Sequence, residues 1–317
     1  MSDTVLALRA LGVGDLLTAV PALRALRRAF DGKRIVLAAP EPLRELVELV
    51  EAVDLLHPTP RLGALRWRAE PPAVAVNLHG EGPESLCDLL GLAPSALIAH
   101  HHPAVPNVPG PRWRPELHEA DRWCRLLEEY GIAAAPADLD LAPPPRSTPH
   151  GGAVVIHPGA AAASRRWPAD RFAWIARRLE EDGHRTVVTG SSGETALAGS
   201  VAAEGGLAPR QILAGRTGLA GLAAVIAAAR LVVSGDTGVA HLATAFGTPS
   251  VILFGPTPPA LWGPPPGRRH HVAMWAGRIG DPLGDRPDPG LLELRREEVL
   301  DRCREALGRP PLPEAAP

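Results

Sequence analysis

Lysine is all but missing from this chain. Lys33 is the one lysine in 317 residues, and arginine supplies every other basic side chain. A cationic contact to a phosphate is therefore expected from the planar fork of an arginine. Cysteine is scarce too: Cys87, Cys124 and Cys303 are odd in number, scattered and without C-x-x-C spacing. That pattern indicates neither a disulfide frame nor a cysteine zinc site, and it suits a reducing compartment. Neither sign of charge is in excess, the formal net charge being −2, so the chain has no general attraction to nucleic acid or anionic membrane. No apolar run reaches about 18 residues. Asp3 and an early strand stand where a signal peptide needs a basic start and an apolar core. The expectation is a cytoplasmic protein with no transmembrane segment, peripheral membrane contact remaining open.

What the chain does have is enough hydrophobic residues, 45% of the total, to fill two cores, and its length favours two domains. In the first half, short apolar runs at Val5–Leu8, Ile35–Ala38, Val53–Leu56, Ala73–Leu78 and Ala96–Ala99 alternate with helical patterns at Leu16–Phe30, Pro42–Val50, Glu84–Leu90 and about Leu117–Leu127. Pro21 is expected to tilt the first of these helices without ending it. The stretch Ala133–Gly152, with three consecutive prolines and a glycine pair, reads as a linker containing a short strand at Leu139–Leu141. The alternation resumes with strands at Val154–Ile156, Thr186–Val188, Ile212–Leu213, Leu231–Val233, Val251–Phe254 and Val272–Met274. Helices fit Ala169–Glu181, Glu194–Glu204, Leu219–Ala229 and Val239–Phe246, and a last one fits about Arg295–Leu307. Strands alternating with helices predict an α/β fold of parallel sheets covered on both faces, in two doubly wound domains.

Loops after strand ends in such a fold are where ligands bind, and five of them carry chemistry. In Leu11-Gly12-Val13-Gly14-Asp15 two glycines allow a tight strand-to-helix turn with Asp15 at the N-cap. Leu17 stands where a dinucleotide fingerprint needs its third glycine. His79-Gly80-Glu81 follows another strand and is either an acceptor-binding loop or an ordinary turn. His157-Pro158-Gly159 runs on to Arg165-Arg166-Trp167-Pro168, where a glycine permits close backbone approach and two arginines either meet a phosphate or form a solvated pair. Gly190-Ser191-Ser192-Gly193-Glu194 offers Glu194 to ribose hydroxyls, or a helix cap built on Ser192. Ser234-Gly235-Asp236-Thr237-Gly238 precedes a helix whose N-terminal N–H groups and dipole favour an anion. The run His100-His101-His102 lies in a proline-rich loop where adjacent side chains diverge, a poor metal geometry.

With these residues in view, the chain resembles glycosyltransferase family 9, the ADP-heptose:lipopolysaccharide heptosyltransferase group. The matching pieces, in order, are Leu8–Phe30, His157–Pro168, Thr189–Glu194 and Ser234–Thr257. The resemblance implies a GT-B fold: an acceptor-binding domain over 1–145, a nucleotide-sugar-binding domain over 146–293, and a C-terminal helix with a flexible tail over 294–317. It implies an inverting transfer from an ADP-sugar to a glycan or small-molecule hydroxyl, with no cofactor and no metal. Asp15 falls on the family's proposed general base, with a plain helix cap as the other reading. Gly159, Arg165 and Arg166, with Thr237, Gly238 and His241, fall around the donor diphosphate. Asp236 and Glu194 fall to the donor ribose or sugar, and Gly14, His79, Gly80 and Glu81 to the acceptor. His241 returns to the helix face of Thr237, or is a buried helix histidine.

Two departures bear on substrate. Pro258-Pro259-Ala260-Leu261 replaces the family's usual Asp-Pro and basic residue, and Glu81 and Glu84 stand where lipopolysaccharide enzymes commonly carry a base. The reaction class is therefore read more firmly than the heptose-to-lipopolysaccharide assignment. A non-catalytic nucleotide-sugar-binding protein on the same fold, or a nucleotide-sugar epimerase or hydrolase, remains as the alternative.

Overall fold

The computed structural model describes residues 3–308. The chain divides into two compact units, Met1–Ala142 and Pro143–Pro317. The first is built from β1 (Thr4–Leu8), α1 (Val13–Thr18), α2 (Val20–Ala29), β2 (Arg34–Ala39), α3 (Arg44–Val50), β3 (Leu55–Pro58), β4 (Val74–Asn77), α4 (Glu84–Leu90), β5 (Ala96–Ile98) and α5 (Glu119–Glu129). Its five parallel strands lie in the order β3-β2-β1-β4-β5. β1 is fully apolar and buried from Val5 to Leu8 because helices cover both faces. α2 turns Leu23 and Leu26 inward and leaves Arg27 and Arg28 in its last turn, where cations suit the helix dipole.

The second unit comprises β6 (Val154–His157), α6 (Ala169–Glu181), β7 (Thr186–Val188), α7 (Thr195–Gly205), α8 (Leu219–Ala227), β8 (Leu231–Gly235), α9 (Gly238–Ala245), β9 (Ser250–Phe254), α10 (Pro259–Trp262), β10 (His271–Trp275), α11 (Pro289–Glu293) and α12 (Arg296–Gly308). Its parallel order is β10-β9-β8-β6-β7. Phe172, Ile175, Ala176 and Leu179 form the inner stripe of α6 at helical spacing, packed with Trp167 and with Val299, Leu300 and Cys303 of α12. α12 thus belongs to this unit's core. The expected tail beyond it lies outside the described residues. Gly205 lets α7 press on α6, since a Cβ there would meet the Ala173 carbonyl at 3.1 Å.

Several expectations are corrected. The first helix is broken at Ala19 between α1 and α2, because Pro21 has no N–H to return to the preceding turn. Leu139 and Leu141 are buried and Asp140 between them is exposed, but the segment forms no strand. Arg24 holds that segment by a 2.6 Å bond to Asp138 Oδ1 and a 2.8 Å bond to the Asp140 carbonyl, taking the place of a neighbouring strand. Ile212–Leu213 is reduced to a single bridge between Val188 and Ile212, confined by the 3₁₀ turn Pro209–Gln211 and by Gly215 at φ +70°.

Candidate functional site

In each unit the first strand is flanked on one side by the second and on the other by a later strand. The crossover changes direction there, and the chain opens a crevice beyond the strand ends. In the first unit that place lies between β1 and β4. The loop that leaves β1 toward Asp15 and the loop His79-Gly80-Glu81 meet there, since the Ala10 N–H donates to His79 Nδ1 at 3.2 Å.

Asp15 is not the N-cap. Gly12 occupies that position in extended conformation, and Asp15, third in α1, reaches back to accept from the Gly12 N–H at 3.1 Å. Beneath it lies Arg9, only 1% exposed. Arg9 Nε donates to the Asp15 carbonyl at 2.7 Å. Its other nitrogens donate to the Leu78 carbonyl, to Thr18 Oγ1 at 3.2 Å and to Glu119 Oε1 at 3.0 Å. The guanidinium also stands 3.5 Å from Asp15 Oδ1. Glu119 is held in turn by Arg122 Nε and Trp123 Nε1, both at 3.0 Å. Its carboxyl is pulled below the usual range by the Arg9 and Arg122 charges and hydrogen bonds, which overcome the burial that opposes them and is itself the largest single influence. Arg9 and Glu119 escaped the sequence reading. The available signal was a charged residue directly after an all-apolar strand.

Burial, with the Arg9 charge adding to it, lowers His79 to about 4, so its ring is neutral near pH 7. With Nδ1 accepting from Ala10, the ring proton sits on Nε2, available as a donor. Glu81 is exposed and Gly14 half-buried at the same edge. The histidine run serves the fold: His100 packs edge-on to Trp113 and Trp123, His101 Nδ1 meets the Val108 carbonyl, and His102 Nδ1 accepts from the Ala104 N–H. Among the described residues no group of three or more histidine, cysteine and acidic side chains is placed to hold a metal ion.

In the second unit the equivalent place lies between β6 and β8. The loop leaving β6 crosses the ends of the neighbouring strands, and glycines make room for it. Gly159 lies directly against the Glu194 carboxylate, which a Cβ there would displace. A Cβ on Gly235 would come within 2.7 Å of the Arg165 carbonyl, and one on Gly255 within 3.2 Å of the Ser164 carbonyl. The structure therefore brings together Gly159 with Glu194, and Arg165 with the turn leading to Asp236, Thr237 and Gly238.

Glu194 accepts from Ser191 N at 2.7 Å and Ser191 Oγ at 2.8 Å, so Ser191, not Ser192, caps this turn. Arg166 is committed to the fold through Nε to the Ala160 carbonyl at 2.8 Å. Arg165 is different: it is half-buried, its Nε is shut off from water, and its side chain makes no hydrogen bond or ion pair among the described residues. Asp236 is buried, its N–H donating to the Leu253 carbonyl at 3.2 Å. Thr237 is the N-cap of α9 but its side chain makes no capping bond; its carbonyl accepts the Ala240 N–H at 3.0 Å, and the N–H groups before Ala240 lack intrahelical acceptors. His241 stands edge-on to Trp262 at 5.9 Å. His157, at the end of β6, is fully enclosed with Nδ1 3.0 Å from Thr189 Oγ1. Burial lowers it to about 4 against the opposing pull of Glu194, which makes it a neutral structural group.

Two doubly wound units of this kind in one chain are the plan of the GT-B fold. The likeness extends over whole chains: 97% of this one aligns with 98% of a glycosyl transferase family 9 structure from Veillonella parvula DSM 2008, at TM-score 0.78 and 19% identity. It aligns equally with the Escherichia coli ADP-heptose lipopolysaccharide heptosyltransferase II, again 97% with 98%, at TM-score 0.75 and 19% identity. Against the E. coli heptosyltransferase WaaC with ADP, 96% of this chain covers 99% of that one at TM-score 0.70 and 19% identity. Residues 126–278 match the model of glycosyltransferase family 9 (heptosyltransferase), and the chain is a glycosyltransferase. The match takes in every second-unit loop described above, while Asp15 and His79 lie before it. No curated protein matches the chain in sequence.

Proposed function

We propose that the chain is an inverting glycosyltransferase that moves a sugar from an ADP-sugar, ADP-heptose being the first candidate, to a hydroxyl of an uncharged glycan or small molecule. The observation that carries this reading is Arg165: a half-buried cation with no partner among the described residues, placed against the turn that opens α9. Leaving a half-buried cation unpaired carries part of the cost of burying a charge, and a diphosphate removes it. The neighbouring N–H groups of α9 and the Thr237 hydroxyl add donors of the right polarity. Asp236 is an anion itself and is assigned to a sugar hydroxyl or to holding the turn. Glu194, with Gly159 beneath it, takes the ribose hydroxyls.

In this mechanism the Asp15 carboxylate accepts the proton of the acceptor hydroxyl as its oxygen attacks the anomeric carbon. The bond from that carbon to the diphosphate breaks on the opposite face, which inverts the centre. The negative charge growing on the departing phosphate is met by Arg165 and the α9 N-terminus, so no divalent metal is required. His79 Nε2 supports the acceptor as a neutral donor. The exposed carboxylates of Glu81 and Glu84 disfavour a phosphorylated acceptor.

Calorimetric titration with ADP, UDP, GDP and dTDP, each with magnesium and with EDTA, tests the donor half. Tightest binding of ADP, equal in both media, is expected. A preference for another nucleotide, or binding that needs magnesium, overturns the assignment.

A further inference from the structure

One nitrogen beneath Asp15 faces two carboxylates. Arg9 Nη2 donates to Glu119 Oε1 at 3.0 Å and stands 3.5 Å from Asp15 Oδ1. The two acids differ in access. The Asp15 side chain keeps 28% of its surface exposed, the Glu119 side chain 9% and the Arg9 side chain none. Asp15 is open to an arriving hydroxyl, while Glu119 is sealed behind the cation. The Arg9 guanidinium also lies 4.8 Å from the centre of the buried Trp123 ring, so little water reaches it to screen its charge.

Arg9 acts on Asp15 in two ways. Through Nε it holds the Asp15 carbonyl, and through Nη2 it holds Thr18 Oγ1. These bonds fix α1, which has only six residues and is too short to keep its shape unaided. Its charge acts as well: an enclosed cation beside a carboxylate favours the ionised form, and a second carboxylate on the same cation draws that influence away. The reach of the charge is visible at His79, where it adds to burial in lowering the ring to about 4. The charged and titratable groups around this end of β1 are Arg9 itself, His79 and Glu81 in the loop after β4, and Glu119 and Arg122 on α5.

We propose that Arg9 is the positioning residue of the Asp15 carboxylate and that Glu119 is its counterweight: Arg9 aims the base and steadies its negative charge, and Glu119 limits how far that cation weakens it. The inference rests on the reading of Asp15 as the base. It adds two residues that lie outside the Leu11–Asp15 loop, one of them on α5. A role confined to packing would make substitutions of Arg9 and Glu119 act alike, whereas this one makes them act with opposite sign.

The test follows ADP release by the intact chain from ADP-heptose with water as acceptor, as a function of pH. Water's oxygen then attacks the anomeric carbon, its proton goes to Asp15, and ADP leaves. Amide hydrogen exchange of α1 is read on the same samples. Arg9→Met, Arg9→Lys and Glu119→Gln are compared with the parent. Glutamine keeps an acceptor for Arg9 and Trp123 and gives up only the Arg122 bond, so Glu119→Gln and Arg9→Lys remain informative where Arg9→Met is weakened. Turnover is lost at low pH, where the base is protonated. Without the cation protonation is easier, so the acid limb of Arg9→Met should rise by about one pH unit. In Glu119→Gln it should fall by about half a unit, and in Arg9→Lys it should stay in place. Both shifts should persist in a His79→Gln background, which removes the imidazole as their source. Arg9→Met should also lower kcat about a hundredfold, the scale of a displaced catalytic group, with the donor KM within twofold. Exchange in α1 should be faster in Arg9→Met and near the parental rate in Arg9→Lys. Acid limbs that move in the same direction, or do not move, overturn the proposal, as does parental exchange of α1 in Arg9→Met. A parent that releases no ADP overturns the donor reading instead, and the exchange of α1 then decides the positioning role alone.

Discussion

The two units share one plan and differ in what their strand ends do with charge. In the first, Arg9 is enclosed and fully occupied, bound to the Asp15 and Leu78 carbonyls, Thr18 and Glu119 and close to the Asp15 carboxylate. In the second, Arg165 is half-buried and its side chain is bound to nothing among the described residues. One arginine completes the fold from within; the other is complete only with an anion from outside. The same topological position thus serves two purposes, a rigid mount for a carboxylate and a receptor for a phosphate. The difference comes from whether the chain supplies the counter-charge itself.

Removing the carboxylate that the first unit mounts should have the largest effect. Asp15→Asn is expected to lower kcat for transfer at least a thousandfold, within the range for a lost general base, while calorimetry shows ADP affinity unchanged. Near-parental turnover would break the comparison, because the mount would then hold nothing of catalytic use. Next comes the mount itself. Arg9→Met leaves Glu119 buried with only one of its two cations, and about 3 kcal/mol of stability should be lost, read as a shift in urea midpoint at constant slope.

Arg165→Met should do the reverse. The fold should be as stable as the parent or slightly more so, and ADP affinity should fall between tenfold and a hundredfold, as expected for a lost charged contact. Arg165→Lys should recover only part of it, since an ammonium lacks the fork. A loss of stability in Arg165→Met would show that the arginine has a structural partner after all.

Smaller effects come from pH. Burial lowers His79, His100 and His157 each to about 4, below the ordinary 6.5. The unfolded chain therefore takes up protons that the native one refuses. The stability tied to these groups is present above about pH 6.5 and is lost progressively as pH falls toward 4. Thermal unfolding midpoints should drop over that window, and His100→Gln should flatten the slope.

Much of this architecture is legible in the chain because buried parallel strands are short unbroken apolar runs, as at Val154–Ile156 and Leu231–Val233, and helices between them repeat every three to four residues. What pattern reading misplaced was decided at a distance. Leu139–Leu141 has a strand's composition, but Arg24 claims its backbone. Asp15 has a cap's composition, yet Gly12 takes the cap and frees the carboxylate to reach back. At the candidate site, Gly159 with Glu194 and Arg165 with Gly235 could be suspected from loops that follow strand ends. The part played by Arg9 and Glu119 could not, since each depends on residues far away in sequence with no motif between them.

The backbone bonds of Ser164, the residue before Arg165, have a dynamic consequence. For the loop between β10 and α11 to open, the bonds from Ser164 N to Gly284 and from Asp288 N to Ser164 must both break, and the backbone beside Arg165 is then released. Opening of the outer loop and loosening of the arginine are one event. Amide hydrogens on both segments should therefore exchange at a common rate, and a nucleotide that holds Arg165 should slow exchange in a loop it never touches.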